Sequence, residues 1–319
     1  MNKRKQDHLM KSRKIKHSLF LALAALIWGT AFVAQSVGGD ACGPYTFNCI
    51  RSFLGGFILI PVIVIANKLG LSKDYSASNG GTKTLVIGGI LCGICLCLGS
   101  NVQQLGLYLG ASAGKAGFLT ACYILLVPIL GIFFKKKCGI NIWIGVLLTL
   151  VGLYLLCFDG SLRFHTADIL LLACAFFFAL HILVIDYFSP KTDGIKLSCI
   201  QFFVCGIISA VPMFFFDMNH SFLNISTWAD TLTSLNTWIP IFYAGFLSCG
   251  VAYTLQIVGQ VGMNPTVASL ILSLESVFAV ISGWIILRET MGFRELAGCG
   301  LIFIAIVLAQ IPAKSKTDF

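Results

Sequence analysis

Charged residues are scarce in this chain of 319 residues, where they make up only 11% of the total. Soluble globular proteins carry about 25% charged residues because their surfaces face water. Hydrophobic residues account for 57% of the chain, and its mean hydropathy is +0.90. Most of the surface must therefore face lipid. This predicts a helical membrane protein in which little of the chain is left for a domain outside the membrane.

The motifs of several enzyme classes are also missing. The chain contains neither the phosphate-binding P-loop nor the HExxH motif of zinc peptidases. The sequence therefore predicts no enzyme, no cofactor and no ATP-powered transport within this chain. Its thirteen cysteines are odd in number and nearly all lie in apolar runs, so we expect neither a disulfide framework nor a metal site.

Basic residues are distributed unevenly along the chain. Seven of the 22 Lys and Arg residues fall within the first sixteen positions, ahead of an apolar run that begins at Ser18. A basic segment beside a membrane helix is typical of a cytoplasmic anchor on anionic lipid. We therefore interpret residues 1–17 as a basic cytoplasmic tail that contacts membrane lipid, and we expect no nucleic-acid partner. The first apolar run is longer than that of a cleaved signal peptide, which favours a retained helix.

Ten apolar stretches are long enough to cross a membrane as helices. They cover residues 18–37, 44–66, 84–106, 112–134, 140–157, 167–187, 196–215, 238–259, 264–287 and 294–311. Turn residues or charges separate them, such as Gly38-Gly39-Asp40 and Lys135-Lys136-Lys137. The one long connection, 217–237, carries apolar residues at helical spacing and predicts a short amphipathic helix on the membrane surface.

The Lys and Arg residues also predict the orientation of the ten spans. With the N-terminus in the cytoplasm, 17 of these residues lie on the cytoplasmic side and four lie outside. Because basic residues favour the cytoplasmic side, the count predicts that both termini are cytoplasmic. We expect the protein to reside in the cell (plasma or inner) membrane.

The two halves of the chain resemble each other at an offset of about 150 residues. The stretch Arg51–Gly56 corresponds to Gln201–Gly206. Further corresponding pairs are Gly93 with Gly245, Gln104 with Gln256, and Ala116 with Ala268. Five spans are an odd number, so the second half must insert upside down relative to the first. The prediction is an all-α membrane protein with two inverted five-helix repeats, residues 18–157 and 167–311, followed by a cytoplasmic tail, 312–319. Such repeats are typical of alternating-access transporters.

Several motifs carry a resemblance to a known family. They are Ala25-Leu-Ile-Trp-Gly29, Ala116 to Pro128, Phe178-Ala-Leu-His181, and the stretch from Gly250 through Glu275 to Gly298. In order and spacing these motifs resemble the EamA-type permeases of the drug/metabolite transporter superfamily, over about residues 20–310. The resemblance implies a ten-helix inverted-repeat fold and transport of small metabolites, often outward. One departure is visible: the acidic residue that closes the fourth span is kept as Glu289 in the second half but replaced by the lysine run in the first.

Two charged residues inside the spans are the leading candidates for function, because an ionised side chain is costly in lipid. Glu275 lies near the middle of its stretch, where burial favours the neutral form and makes alternation between protonation states accessible. It either couples protons or substrate to transport or serves as a hydrogen-bonding link between helices. Arg51 lies about 10 Å into its helix, where it either receives a substrate carboxylate or binds carbonyl groups and reaches toward water.

Neutral polar and aromatic residues form a second set of candidates. Gln201, Gln104 and Gln256 either line the transport path or hold helices together. His181 is either a proton relay or a hydrogen-bonded structural residue. Trp28, Tyr123 and Tyr253 either wall an aromatic cavity or pack between helices.

These observations predict a secondary transporter that moves a small organic metabolite outward, such as an amino acid or a related compound. Its partners are then the substrate, membrane lipid and, if transport is coupled, protons. Two alternatives stay open, namely proton-coupled multidrug efflux and a membrane scaffold that transports nothing. The inverted repeat argues against the scaffold, and the first span lacks the glutamate that small multidrug-resistance proteins carry there.

The predicted topology is testable by cysteine labelling. After replacement of the native cysteines, Lys136→Cys is expected to react with a membrane-impermeant maleimide only from the cytoplasmic side, and Asp230→Cys only from outside. Reactivity is measured in intact cells and in inside-out vesicles. Labelling of the position 136 cysteine in intact cells contradicts the ten-span assignment.

Overall fold

The computed structural model describes residues 3–70, 81–111, 113–136, 139–157, 165–218, 225–286 and 292–310, and every regular element in these ranges is a helix. Four features of the sequence analysis lie outside them: Glu289, Lys137, the connection 158–164 between the halves, and the tail 312–319.

The helices of the first half follow the apolar stretches closely. They are α1 (Lys3–Cys42), α2 (Pro44–Lys68), α3 (Gly81–Tyr108), α4 (Ala113–Ala121), α5 (Tyr123–Phe133) and α6 (Ile140–Cys157). The basic segment that precedes Ser18 is helical from Lys3 onward and forms the first turns of α1.

The second half contains more, and shorter, elements. They are α7 (Thr166–Phe188), α8 (Gly194–Pro212), α9 (Ile225–Asp230), α10 (Leu235–Phe242), α11 (Thr254–Gln260), α12 (Pro265–Leu272), α13 (Leu274–Ile286) and α14 (Phe293–Gln310). A π-helical segment, Met213–Asp217, extends α8, and a second one, Tyr243–Tyr253, joins α10 to α11. The helix α9 lies in the long connection for which the sequence predicts a short amphipathic helix.

Eight segments of the described chain are long and apolar enough to cross a membrane. Two more apolar helices, Ile140–Leu155 and Leu296–Ala309, are shorter and pack against each other as α6 and α14. Glycines permit this close contact, since a Cβ added to Gly152 would lie 2.8 Å from the carbonyl oxygen of Gly298. The protein is therefore an all-helical, multi-pass membrane protein.

The predicted break at Gly38-Gly39-Asp40 is wrong. The helix α1 continues through both glycines to Cys42, and the chain turns at Gly43, which has a φ of 91°. The two glycines serve packing: the ring of Phe47 lies where a side chain at Gly38 would be, and the amide of Gln104 fills the same place at Gly39. Glycine within a membrane helix marks a close approach of neighbours as well as a turn.

Two stretches that the sequence predicts as continuous helices are each divided in the structure. Cys122 separates α4 from α5, and Ser273 separates α12 from α13. At Ser273 the hydroxyl donates to the carbonyl of Leu270 at 2.7 Å, and the next turn closes with an i→i+3 bond from the amide of Ser276 at 3.1 Å. Both divisions fall at corresponding positions of the two halves, so each half contains one interrupted helix.

Contacts between α2 and α8 come in reciprocal pairs. The thiol of Cys49 donates to the carbonyl of Gly206 at 3.5 Å, and the thiol of Cys199 donates to the carbonyl of Gly56 at the same distance. The ring of Phe203 lies on Gly56, and likewise the ring of Phe53 lies on Gly206.

The same reciprocity extends to the neighbouring helices. A Cβ at Gly93 would lie 2.6 Å from Val204 Cβ, and a Cβ at Gly245 would lie 2.9 Å from Leu54 Cβ. With an offset of about 150 residues, Leu54 corresponds to Val204 as Gly93 corresponds to Gly245. Residues that match in sequence therefore make matching contacts across the two halves.

Gly93 offers a direct test of this packing. Gly93→Ala places a methyl group against Val204 and 2.8 Å from the carbonyl oxygen of Gln201, so we expect a loss of about 1–3 kcal/mol of stability. The matched control is Gly300→Ala in α14, where nothing lies within 4 Å of the added carbon and the better helix propensity of alanine is expected to leave stability equal or higher. Thermal unfolding of both variants in detergent is the measurement, and equal melting temperatures contradict the proposed contact.

Candidate functional site

Two ion pairs fix α7 against the interrupted helix of the first half. Near the start of α7, Asp168 accepts from Lys115 Nζ and from the backbone amide of His165, each at 2.9 Å. Near its end, Asp186 pairs with Lys136 at 2.5 Å. The Asp168 side chain is 2% exposed and that of Asp186 is 9% exposed, so loss of either lysine would leave a poorly hydrated carboxylate without its counter-charge. The two pairs hold the middle of α7 toward the centre of the protein.

A cavity lies at that centre, between helices of both halves. Its volume is about 40 Å³, which is room for roughly three water molecules. The lining combines aromatic rings with polar and charged groups, contributed by α1, α2, α3, α7, α13 and the segments beside them. The lining residues are Trp28, Phe32, Gln35, Arg51, Gln103, Thr120, Tyr123, Phe178, His181, Ile182, Ser248, Tyr253, Gln256, Leu272 and Glu275.

Tyr253 organises the aromatic part of this lining. Its ring centroid lies 4.6 Å from that of Trp28 in a tilted pair and 5.9 Å from the His181 ring in an edge-on pair. Its third neighbour is Phe202, at 5.5 Å. Tyr253 is the last residue of the π-helical segment between α10 and α11. Such local widening of a helix is frequent at functional sites because it redirects side chains.

Arg51 brings a positive charge to the cavity. It lies about two turns into α2, it is 5% exposed, and its guanidinium carbon lies 5.3 Å from the centre of the Phe47 ring. Within the ranges that the structure describes, neither of the two ion pairs involves Arg51. The guanidinium therefore faces the cavity with an aromatic ring as its neighbour and no carboxylate bound to it.

Glu275 adds a carboxyl group to the same lining. It is 5% exposed and lies in the first turn of α13, immediately after the division at Ser273. The N-terminus of a helix favours negative charge, and the division thus offers some compensation to a carboxylate at this depth. The hydroxyl of Tyr123 is a neighbour of this carboxyl group, but among the described residues neither the hydroxyl nor Glu275 Oε1 has a hydrogen-bond partner of good geometry.

Several polar atoms around the cavity have no hydrogen-bond partner in the structure. They include both donors and acceptors, namely Trp28 Nε1, Gln35 Oε1, the Tyr123 hydroxyl, Gln256 Oε1 and Glu275 Oε1. Buried polar groups in proteins are nearly always paired, so each exception requires an explanation. A cavity with this many unpaired groups suits a ligand that carries both hydrogen-bond donors and acceptors.

The structure brings together seven of the nine candidate residues from the sequence. Trp28, Arg51, Tyr123, His181, Tyr253, Gln256 and Glu275 line the cavity. Gln104 and Gln201 lie outside the lining. Gln104 Nε2 donates to the carbonyl of Gln35 at 2.7 Å, and Gln201 Oε1 lies 3.0 Å from His181 Nε2. Each of these glutamines therefore contacts a lining residue without lining the cavity itself.

Other lining residues escaped the sequence analysis. Gln35 is recognisable as a candidate from the sequence, since it is a polar residue inside an apolar stretch. Gln103 stands next to the candidate Gln104. Phe178 is the first residue of the motif Phe178-Ala-Leu-His181, in which the histidine is the residue that the sequence marks as a candidate. Thr120 and Ser248 carried no signal, because small hydroxyl residues are frequent in membrane helices for packing alone. No cluster of three or more His, Cys, Asp or Glu side chains suited to a metal occurs in the part of the chain that the structure describes.

Comparisons with known proteins agree with this architecture. A sequence model of the EamA-like transporter family matches residues 15–158 and 165–310. An uncharacterized transporter of Archaeoglobus fulgidus is 31% identical over 305 residues, which cover 94% of this chain and 87% of that protein. The uncharacterized transporter YwfM of Bacillus subtilis is 25% identical over 309 residues, covering 94% and 96% of the two chains.

The fold also matches the crystal structure of another protein. The TM-score is 0.71 at 16% sequence identity, and the match covers 92% of this chain and 96% of the other. At this identity the match bears on the fold alone. The resemblance to EamA-type permeases is thus confirmed by the family match over nearly the whole sequence. The chain belongs to the EamA-like transporter family.

Proposed function

We propose that this protein is a secondary transporter that moves a small organic metabolite, such as an amino acid or a related compound, by alternating access. The observation that carries this proposal is the pair of buried charges, Arg51 and Glu275, on the walls of one cavity, neither of them in an ion pair among the residues that the structure describes. Family membership supports transport in general, while the substrate and the mechanism are inferred from the cavity.

Arg51 is the group that we expect to receive an acidic substrate group. A buried charge without a partner is costly, and a carboxylate removes that cost by pairing with the planar guanidinium through two hydrogen bonds. The unpaired Trp28 Nε1 adds a further donor on the same cavity.

Glu275 is the group that we expect to bind an amine or to exchange protons. Its unpaired Oε1 accepts from an ammonium group when the carboxylate is ionised. When the cavity is empty, protonation removes the cost of a bare charge in a low-dielectric site. A substrate with both charges would therefore satisfy Arg51 and Glu275 together.

The reciprocal contacts support an arrangement of ten spans as two inverted repeats. Each matching contact, such as Cys49 with Gly206 and Cys199 with Gly56, is what a two-fold axis in the membrane plane requires. The two interrupted helices also fit this arrangement, because transporters of this architecture place discontinuous helices at the binding site. The divisions at Cys122 and Ser273 adjoin Tyr123 and Leu272, which line the cavity.

Alternating access requires that the cavity enlarge. The cavity has room for roughly three water molecules, which is fewer non-hydrogen atoms than the smallest amino acid contains, so substrate entry needs separation of the surrounding helices. We infer that the interrupted helices bend at Cys122 and Ser273, where regular helical bonds are already lost. The distribution of Lys and Arg supports a placement of both termini in the cytoplasm. Outward transport across the plasma or inner membrane is what the resemblance to EamA-type permeases implies.

Proton-coupled multidrug efflux is the second candidate function. The aromatic lining favours it, because rings such as Trp28, Phe178 and Tyr253 bind flat or cationic organic molecules without specific hydrogen bonds. Arg51 argues against it, because a buried guanidinium repels organic cations. A scaffold role explains neither the cavity nor its unpaired polar groups.

Arg51→Lys tests the proposed role of the guanidinium. The lysine retains the charge but cannot form two parallel hydrogen bonds, so we expect efflux of carboxylate substrates to fall by roughly tenfold. Proteoliposomes loaded with a defined mixture of amino acids provide the measurement, read out by mass spectrometry of the external medium.

The matched control is Arg294→Lys, which changes the same side chain at a position outside the cavity, beside Tyr154. Its flux is expected to equal that of the unmodified protein. Unchanged flux in a normally folded Arg51→Lys variant removes Arg51 from the binding site. Export of organic cations without any amino acid favours the multidrug alternative.

A further inference from the structure

A second group of polar side chains is buried where α2, α3 and α8 meet, apart from the cavity lining. Its centre is a pair of thiols, Cys97 on α3 and Cys205 on α8. Cys97 Sγ lies 3.5 Å from the hydroxyl of Ser209, one turn after Cys205, and the hydroxyl of Ser100, one turn after Cys97, lies 3.8 Å from Cys205 Sγ, so the two thiols face each other across the helix contact. Their side chains are 2% and 1% exposed. Because α3 belongs to the first half and α8 to the second, this thiol pair bridges the two halves of the protein.

The surrounding groups direct hydrogen bonds at both sulfur atoms. Cys205 Sγ accepts from the hydroxyl of Ser52 at 3.4 Å and lies 3.8 Å from the hydroxyl of Ser100. Cys97 Sγ accepts from Asn101 Nδ2 at 3.1 Å. The two hydroxyl groups around the Cys205 sulfur favour its thiolate, which is the reactive form of cysteine.

Other buried cysteines of the same helices differ in this respect. The thiols of Cys49 and Cys199 each donate to a backbone carbonyl, which is the usual behaviour of a structural cysteine in a helix pair. Cys49 is also a neighbour of Cys205, but its hydrogen bond is directed at Gly206. In those two residues the sulfur donates its proton to a carbonyl oxygen, whereas the Cys205 sulfur also receives a hydrogen bond, from the hydroxyl of Ser52.

We propose that Cys97 and Cys205 are an oxidation site at which a peroxide forms a disulfide between the two halves of the protein. Hydrogen peroxide is little larger than water. We infer that it reaches the two thiols from the cavity. Arg51 lines the cavity, and the next residue, Ser52, is hydrogen-bonded to Cys205, so the cavity and the thiol pair are close together.

The reaction needs only the two thiols and one peroxide. The Cys205 sulfur attacks a peroxide oxygen, the O–O bond breaks, and the released hydroxide takes the thiol proton to give water and a sulfenic acid. The Cys97 sulfur then displaces the hydroxyl group from Cys205, and its own proton leaves with that group as a second water. Two thiols are oxidised to one disulfide, and hydrogen peroxide is reduced by two electrons to two waters.

The consequence for transport rests on the proposed alternating-access function. A covalent bond between α3 and α8 fixes a distance between the halves that must change when the cavity opens from one side to the other. Oxidation is therefore expected to hold the transporter in one conformation, and a dithiol such as dithiothreitol to release it.

The experiment separates the bond from its effect on transport. A protease site is inserted between Asp159 and Gly160, membranes are treated with hydrogen peroxide, and free thiols are blocked with N-ethylmaleimide. The chain is then cut and run on a gel without reductant. We expect the two halves to migrate together after oxidation and apart after dithiothreitol, with mass spectrometry identifying the Cys97–Cys205 peptide pair.

Matched variants decide whether this pair is responsible. Cys97→Ser and Cys205→Ser are expected to abolish the cross-link, whereas Cys199→Ser, which removes a buried thiol from the same helix, is expected to retain it. Halves that separate after oxidation of the unmodified chain overturn the proposal, and so does a cross-link that persists in Cys97→Ser.

The flux measurement is independent of the gel. In proteoliposomes that export the amino-acid mixture, oxidation is expected to reduce flux by roughly tenfold or more and dithiothreitol to restore it, with Cys205→Ser insensitive to peroxide. Full flux in the cross-linked protein overturns the effect on transport. Absence of any flux in the reduced protein counts instead against the proposed function, while the cross-link on the gel still tests the oxidation site.

Discussion

A charge inside a membrane protein must be paired, hydrated or neutralised, and this constraint underlies the organisation of the molecule. Two aspartates at the ends of α7 are paired with lysines, namely Asp168, which is buried, and Asp186, whose side chain is 9% exposed. Arg51 and Glu275 differ, because they face a shared cavity and neither is in an ion pair of the described residues. The first two charges therefore hold helices in place, while the other two leave an electrostatic cost that a ligand or a proton removes.

Glycine-mediated contacts allow the rest of the protein to be packed tightly around that cavity. Gly56 and Gly206 receive aromatic rings, whereas Gly93 and Gly245 receive aliphatic side chains from the opposite half. In lipid, helices associate through close van der Waals contact, which small residues make possible. The arrangement joins the halves along α2 and α8 and leaves the polar groups of the cavity between them.

The sequence predicts the membrane helices well because their signal is the length of each apolar run. It fails where one residue type has two uses. Gly38 and Gly39 are ordinary turn residues in sequence but packing residues in α1, and only the positions of Phe47 and Gln104 distinguish these roles. The divisions at Cys122 and Ser273 leave no mark in the sequence, since both residues are compatible with a continuous helix.

The candidate site is predictable in part for similar reasons. Arg51 and Glu275 stand out in any apolar stretch, and the structure places both on the cavity. The glutamines are harder: Gln104 and Gln256 correspond in the repeat, yet only Gln256 reaches the lining, while Gln104 bonds to a backbone carbonyl. Which face of a helix carries a glutamine into the cavity depends on how its neighbours pack, and apolar periodicity is weak in helices that are apolar all round.

The central claim is that the carboxyl group of Glu275 changes its protonation state during transport. Its most direct test is amino-acid flux against an imposed pH gradient in proteoliposomes that contain either the unmodified protein or Glu275→Gln. The amide has nearly the same size but does not titrate, so the account predicts a folded variant that loses concentrative, pH-dependent flux and retains exchange. Identical pH-dependent flux in the two proteins would contradict it.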